Sequence, residues 1–189
     1  MLKKAVSHQR RVFFIDAAHF VRGAFLAYLW CCIRWVVPTG AGRQRYSILG
    51  ALDAASRALI CETTIGNVNA VTVGRLLLKL RAAHPNEPIS VVWDNARYQH
   101  AALVRTLAAF ARIDVVYLPP YSPNLNLIER VWKFVKKEAL ANRTFADFTA
   151  FRAAIDATLA QLGARYKDRM MTLLSHRFET LEPASTSTA

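Results

Sequence analysis

The sequence is short of acidic residues. It has 13 Asp and Glu against 25 Lys and Arg in 189 residues, a formal charge of +12. That balance points to a polyanionic partner, most simply nucleic acid. Long apolar runs are lacking too. The most apolar stretch, Ala24 to Ile33, lies between Arg22 and Arg34 and is well short of the roughly 20 residues a bilayer-spanning helix needs. No membrane partner is expected. The basic N-terminus is not followed by the apolar segment and small-residue cleavage site of a secretory signal. Cys31, Cys32 and Cys61 lack the spacing of a zinc finger and read as buried thiols in a reducing, cytoplasmic compartment. Neither an internal repeat nor an interdomain linker is visible.

What is present in quantity is material for a core. Hydrophobic residues make up 53% and aromatics 11%, which excludes a disordered main body. The length suits one domain with a sizeable core and an appended helical segment. Charge is distributed unevenly: eight of the 25 basic residues but one of the 13 acids fall in the first fifty positions, a net +7.

Residues 1–10 read as a basic leader. The run from Arg11 to Asp16 is apolar on both alternating faces, as in a central strand covered on both sides. Tyr46–Leu52 and Ala58–Ile65 are two further strands, joined by the polar hairpin connection Asp53–Arg57. From Val68 the period changes to helical, with Val71, Leu76, Leu77 and Leu80 as the stripe and His84-Pro85 as the stop. Pro88–Asp94 is a buried strand. A helix from about 98 to 111 carries Leu103, Leu107 and Phe110, and Asp114–Leu118 is the fifth strand. Prolines keep residues 119–123 in a loop. A strong helix follows, with Leu125, Ile128, Trp132 and Val135 on one face and Arg130, Lys133, Lys136 and Lys137 around it. Helices at about 146–162 and 165–179 complete the body, and 182–189 read as a disordered tail. Residues 24–37 are apolar and β-prone but have no assigned place in this order. The expected architecture is α/β: a mixed five-stranded sheet flanked by helices, with extra C-terminal helices.

Three acids stand where acids are costly. Asp16 interrupts or ends an apolar strand, Asp94 ends another, and Glu129 lies beside the apolar stripe of the long helix. An unpaired carboxylate at a buried strand costs several kcal/mol or takes up a proton. Three brought together repel one another unless a cation neutralises them, and hard divalent ions with oxygen ligands do so. Each acid alone has a plainer reading: Asp16 as a strand end, Asp94 as a helix N-cap, Glu129 as a partner of Lys133 one turn on. The conjunction of two strand-end acids with a third on a helix, in a basic chain, favours metal-assisted phosphodiester chemistry.

These residues resemble the catalytic core of a DDE transposase. Asp16 in FFIDAAHF, Asp94 in VVWDNARYQH and Glu129 in YLPPYSPNLNLIERVWKFVKK carry the likeness, and 34 residues separate the last two acids. The pattern is most similar to the IS630 branch of the IS630/Tc1/mariner superfamily and covers roughly residues 11–141. The resemblance implies an RNase H-like catalytic domain over 11–141, a C-terminal helical extension over 142–181, and the tail beyond. It implies that Asp16, Asp94 and Glu129 hold two Mg²⁺ or Mn²⁺ ions, cleave DNA at the element ends, and join the freed 3′-OH to target DNA, typically at TA dinucleotides. It also implies a homodimer and a protein that is cytoplasmic, nucleoid-associated when bound to DNA. Full-length members carry a helix-turn-helix half, and the ten residues before the first strand are too few for one. The expectation is therefore a catalytic half whose recognition half is supplied by an upstream frame. The competing readings are a cellular RNase H-like nuclease and a catalytically silent DNA-binding remnant.

Around the acids, Arg43 and Arg45 read as DNA contacts in a Gly-containing loop. Arg97, Tyr98 and His100 face either DNA or solvent. Lys133, Lys136 and Lys137 offer either phosphate contacts or a solvated face. His19 is a neighbour of the site or a packed, hydrogen-bonding histidine. Asn95 orients a carboxylate, touches a phosphate, or opens a helix. Asn124 or Ser122 caps the long helix, with Asn126 beside them. Trp30, Trp35, Trp93 and Trp132 read as core.

Overall fold

The computed structural model describes residues 10–23, 44–94, 101–118 and 126–174. Five strands are present among them: β1 (Arg11–Val21), β2 (Arg45–Asp53), β3 (Leu59–Ile65), β4 (Ile89–Trp93) and β5 (Ile113–Tyr117). The helices are α1 (Ala70–Ala83), α2 (Ala102–Phe110), α3 (Ile128–Leu140), α4 (Phe148–Ala160) and α5 (Lys167–Leu173). The sheet order is β3-β2-β1-β4-β5. β1, β2 and β3 form an antiparallel meander, while β4 and β5 run parallel to β1. The mixed sheet expected from the sequence is the one observed.

Local chemistry sets the joints. At the β2–β3 hairpin, Asp53 Oδ1 accepts from the Ala55 and Ser56 amides at 2.7 and 3.0 Å, an Asx-type closure. Arg57 completes the turn at φ 64. The Asp53 carboxylate is buried and is paired with Arg11 Nη1 at 3.0 Å. Asn69 caps α1 by accepting from Thr72 N at 3.0 Å, and Asp147 caps α4 by accepting from Ala150 N at 2.7 Å.

The sheet is covered on both sides, so there are two cores. Phe13, Ile15, Leu49, Val91 and Trp93 pack beneath α1 and α2. Phe14, Ala18, Phe20, Ile48 and Leu52 pack beneath α3, α4 and α5. Trp93 and Trp132 are both core; Trp30 and Trp35 lie outside the described residues. α4 is anchored on the sheet by the Tyr46 hydroxyl, which donates to Asp156 Oδ1 at 2.7 Å. Arg152 lies over the Tyr46 ring there, 5.7 Å from its centroid. Cys61 is a free thiol pushed up to about 12 by burial, which leaves it unreactive. Cys31 and Cys32 are outside the described residues.

Three details differ from expectation. β1 runs through Asp16 to Val21, because β2 continues to pair with it as far as Arg45. Val71 is 51% exposed; Val73 takes its place in the core. On α2, Leu103 and Phe110 are 45% and 79% exposed, while Val104, Ala108 and the following Ala111 are buried. The helix has two apolar stripes one residue apart, and the stripe of smaller side chains lets it approach the sheet more closely.

Candidate active site

The site begins with the end of a strand. β1 and β4 are parallel, and their last paired residues are Ile15 and Trp93. Asp16 and Asp94 are the next residue on each, so adjacent strands about 4.8 Å apart bring two acids side by side at the centre of the sheet. Beyond this point β1 continues along β2 only, among the described residues, and its other edge opens into a cleft. Strand alternation chooses the face: Phe14, Ala18 and Phe20 enter the core beneath α3, so Asp16 points to the α3 side.

Two residues bring α3 down onto that face. Gly50 is paired with Asp16 across β1 and β2. A Cβ at Gly50 would stand 2.6 Å from Trp132 Cη2 and 3.1 Å from Ile128 Cδ1. The absent side chain lets α3 lie directly on β2, with Glu129 held between those two contacts in sequence. Asn126, 3% exposed, fastens the start of the helix: its Nδ2 donates to the Ile15 carbonyl at 3.2 Å, one residue before Asp16. Asp16, His19, Glu129, Trp132, Lys133 and Lys136 line the resulting cleft of about 300 Å³.

The electrostatics show what the site asks for. Burial drives the Asp16 carboxyl up to about 7, and the charges of Asp94 and Glu129 push the same way. The Ala17 amide opposes this, and so does the Trp132 indole, whose buried Nε1 has no partner at full hydrogen-bond geometry. Glu129 is raised too, mainly by burial, with Lys133 opposing and Asp94 adding. Carboxylates held above their ordinary range by burial and by one another are stabilised as anions by a nearby cation. An all-oxygen donor set suits Mg²⁺ or Mn²⁺. Asp94 is exposed at the end of its strand. Among the described residues no group of three His, Cys, Asp or Glu side chains is gathered into a ready metal site.

The neighbouring residues separate clearly. His19 has the opposite strand parity to Asp16, and its Nδ1 lies 2.7 Å from Ser47 Oγ across β1 and β2. The Ser47 hydroxyl donates to the Gly66 carbonyl, which assigns the imidazole proton to Nδ1. Burial, Arg45 and Lys136 all hold the His19 pKa below its usual value. Arg45 Nη1 donates to Asn67 Oδ1 at 2.6 Å. Lys136 extends over the Phe20 ring, 5.8 Å from its centroid, and Lys133 and Lys137 are exposed. Arg43, Asn95, Arg97, Tyr98, His100, Ser122 and Asn124 lie outside the described residues. The first turn of α3 has no side-chain cap; Glu129 N and Arg130 N bond to the carbonyls of Asn126 and Leu127, each at 3.2 Å. Asn126 thus serves the sheet and not the helix end. Gly50 went unnoticed in the sequence, although a glycine inside an apolar strand is itself a sign of close approach by another element.

A sheet of this order with acids at the centre of adjacent parallel strands, and a third on a helix laid across them, defines the RNase H-like catalytic fold of transposases and integrases. The chain belongs to the DDE superfamily endonucleases, whose family profile matches residues 11–152. Among solved structures, the Mos1 transposase paired-end complex with left transposon end superimposes with a TM-score of 0.62 at 17% identity, covering 94% of this chain and 60% of that one. The Mos1 mariner paired end complex with Mn gives 0.61 at 16%, covering 92% and 59%. The HTLV-2 integrase catalytic core domain in complex with magnesium gives 0.54 at 13%, covering 82% and 88%. At these identities the likeness is one of fold. A 36-residue stretch is 47% identical to the uncharacterized protein y4pE/y4sA of Sinorhizobium fredii, covering 19% of this chain and 27% of that protein. The chain thus spans about 60% of the Mos1 protein's length and a smaller share of the curated relative. No helix among the described residues is long and apolar enough to cross a membrane.

Proposed function

We propose that this chain is the catalytic domain of an IS630-type transposase within the Tc1/mariner group, acting on transposon-end DNA in the cytoplasm. The observation that carries the reading is the position of Asp16 and Asp94 one residue past the last β1–β4 pair, with Glu129 near enough for its charge and theirs to act on one another. Asp16, Asp94 and Glu129 are the residues that would hold two divalent ions. When bound, Mg²⁺ or Mn²⁺ supplies activation of the attacking oxygen and stabilisation of the leaving one. The Trp132 ring forms an apolar wall on one side of the cleft. Lys133 and Lys136 offer cations to the phosphates on either side of the scissile bond. In the first step a water oxygen bonds to phosphorus, the P–O3′ bond breaks, and the 3′ oxygen leaves as a hydroxyl. In the second, that 3′-OH attacks a target phosphodiester, at TA sites in this reading: its oxygen bonds to phosphorus, the target P–O3′ bond breaks, and the target 3′ oxygen leaves as a hydroxyl, taking up the proton the attacking group releases. A homodimer and a helix-turn-helix half that recognises the element ends belong to the same proposal.

The test is a nicking and strand-transfer assay on a terminal inverted-repeat duplex with Mg²⁺, using Asp94→Asn as control. Metal-dependent product from the wild type and none from the variant is expected. Equal activity in both would sink the assignment. Calcium should support DNA binding without turnover. A silent DNA-binding remnant is the second reading, one that needs only the basic charge of the chain. It predicts that Mn²⁺ leaves the melting temperature unchanged at pH 8.

A further inference from the structure

α3 presents three stripes, not two. Val131, Val135 and Ala139 face the core. Glu129, Trp132, Lys133 and Lys136 face the cleft. A third stripe, Arg130, Lys133, Phe134 and Lys137, turns toward α5 and with Arg169 and Thr172 encloses a groove of about 660 Å³. This is larger than the cleft itself. Lys133 lines both, so the two spaces meet at its side chain.

The groove has a built wall and two exposed lysines. Arg169 is engaged: its Nη2 lies 2.8 Å from Glu138 Oε1, and its guanidinium sits 4.7 Å from the Phe134 centroid. Arg130 Nη1 donates to the Leu173 carbonyl at 3.1 Å, tying α3 to the end of α5. These contacts tie the two walls together and neutralise the charge of Glu138. Lys133 and Lys137 make no ion pair among the described residues, and both are exposed. Asp168 is the acid that remains in the lining. The two lysines are one helical turn apart, about 6 Å of rise, comparable to the spacing of neighbouring phosphates along one strand.

We infer that the α3–α5 groove is a second nucleic-acid contact, continuous with the cleft, which carries the phosphate backbone of the bound DNA away from the scissile bond. Lys133 stands at the junction and Lys137 along the path. The inference rests on the function proposed above. Continuity with a cleft that takes a DNA phosphate favours nucleic acid over an acidic protein as the occupant.

The experiment places a photo-cross-linking residue at Thr172, an exposed α5 position in the groove, in the full chain with an inverted-repeat duplex and Ca²⁺. A cross-link to DNA is expected. In parallel, Lys137→Glu and Lys137→Gln should weaken DNA binding by about fivefold to tenfold and lower the slope of log K against log salt by roughly 0.9 for each lost phosphate contact. Arg105→Glu, on exposed α2 across the sheet, should change neither. A wild type that nicks DNA with Mg²⁺, but shows no cross-link and an unchanged salt slope in both Lys137 variants, overturns the groove and leaves the function standing. Cross-linking by a protein that never nicks, or whose Asp94→Asn form nicks equally, supports the groove and removes the function.

Discussion

The two faces of β1 carry nearly the same side chains with different results. On one, Phe13, Ile15 and Ala17 pack against α1 and α2, where Leu76, Leu77, Leu80 and Val104 leave a dry, closed core. On the other, Phe14, Ala18 and Phe20 build a larger core beneath α3 to α5, but Asp16 sits in the middle of the series. A period of two separates the faces completely. The closed face supplies rigidity, and that rigidity allows the other to hold a half-buried carboxylate at a pKa near 7. The same strand thus serves as scaffold on one side and site on the other.

Breaking that contrast at its centre should have the largest effect. On the proposed function, Asp16→Asn or Asp94→Asn should lower Mg²⁺-dependent nicking by at least about a thousandfold, because several kcal/mol of charge stabilisation in the reaction would depend on these oxygens. On the closed face, Leu77→Ala should cost about 2–5 kcal/mol of stability and leave nicking per folded molecule unchanged. Denaturant titration alongside the nicking assay separates the two; a Leu77 variant that folds but does not nick would end the division of labour.

Gly50→Ala sharpens the comparison next. The added methyl meets the Trp132 ring at 2.6 Å, so α3 must lift. We expect a loss of about 1–3 kcal/mol and a fall in nicking of about tenfold to a hundredfold, since a misplacement of an ångström at a reacting centre is that costly. Wild-type activity in this variant would mean that Gly50 does not set the height of the helix. Asn126→Leu removes the tie to the Ile15 carbonyl and should cost about 1–3 kcal/mol with a roughly tenfold loss of nicking. Its metal half-saturation should rise with little change in DNA affinity. Unchanged metal dependence would reduce Asn126 to a structural role.

The smallest effect is linked to pH. Asp16 is raised from 3.8 to about 7 in the folded chain, and Glu129 moves in the same direction. Between about pH 4 and 7 the folded state retains protons that the unfolded chain has released. In the absence of divalent ions stability should therefore fall as pH rises through that window, and the loss should be complete above it. Asp16→Asn should flatten this slope and stabilise the protein at pH 8 by about 1–3 kcal/mol. Mg²⁺ or Mn²⁺ should raise the melting temperature more at pH 8 than at pH 5, because protons compete for the same oxygens. A melting temperature independent of pH in wild-type protein would contradict the burial of Asp16.

Much of this was legible in the sequence, and the particular residues explain how much. Asp16 and Asp94 stood out because acids in apolar runs are costly wherever the run folds. The five strands were legible because their period and turn chemistry are local. His19 was harder: with the strand ended at Asp16, its parity could not be assigned, and pairing with β2 decided it. Asn126 read as a helix-end residue because helix ends are recognised by short spacing, whereas its partner is Ile15, 111 positions away. The groove between α3 and α5 depends on Arg130 meeting Leu173 and Glu138 meeting Arg169, contacts with no local signature.

By itself, the sequence determined the element order, the excess of cations and the three costly acids, because propensity, period and the price of burying charge act over a few residues. Tertiary structure alone decided which face of β1 Asp16 occupies, how Gly50 and Asn126 seat α3, and which spaces the lysines of α3 line. Those outcomes depend on the pairing of distant strands and on close approach between elements, which no short stretch of chain contains.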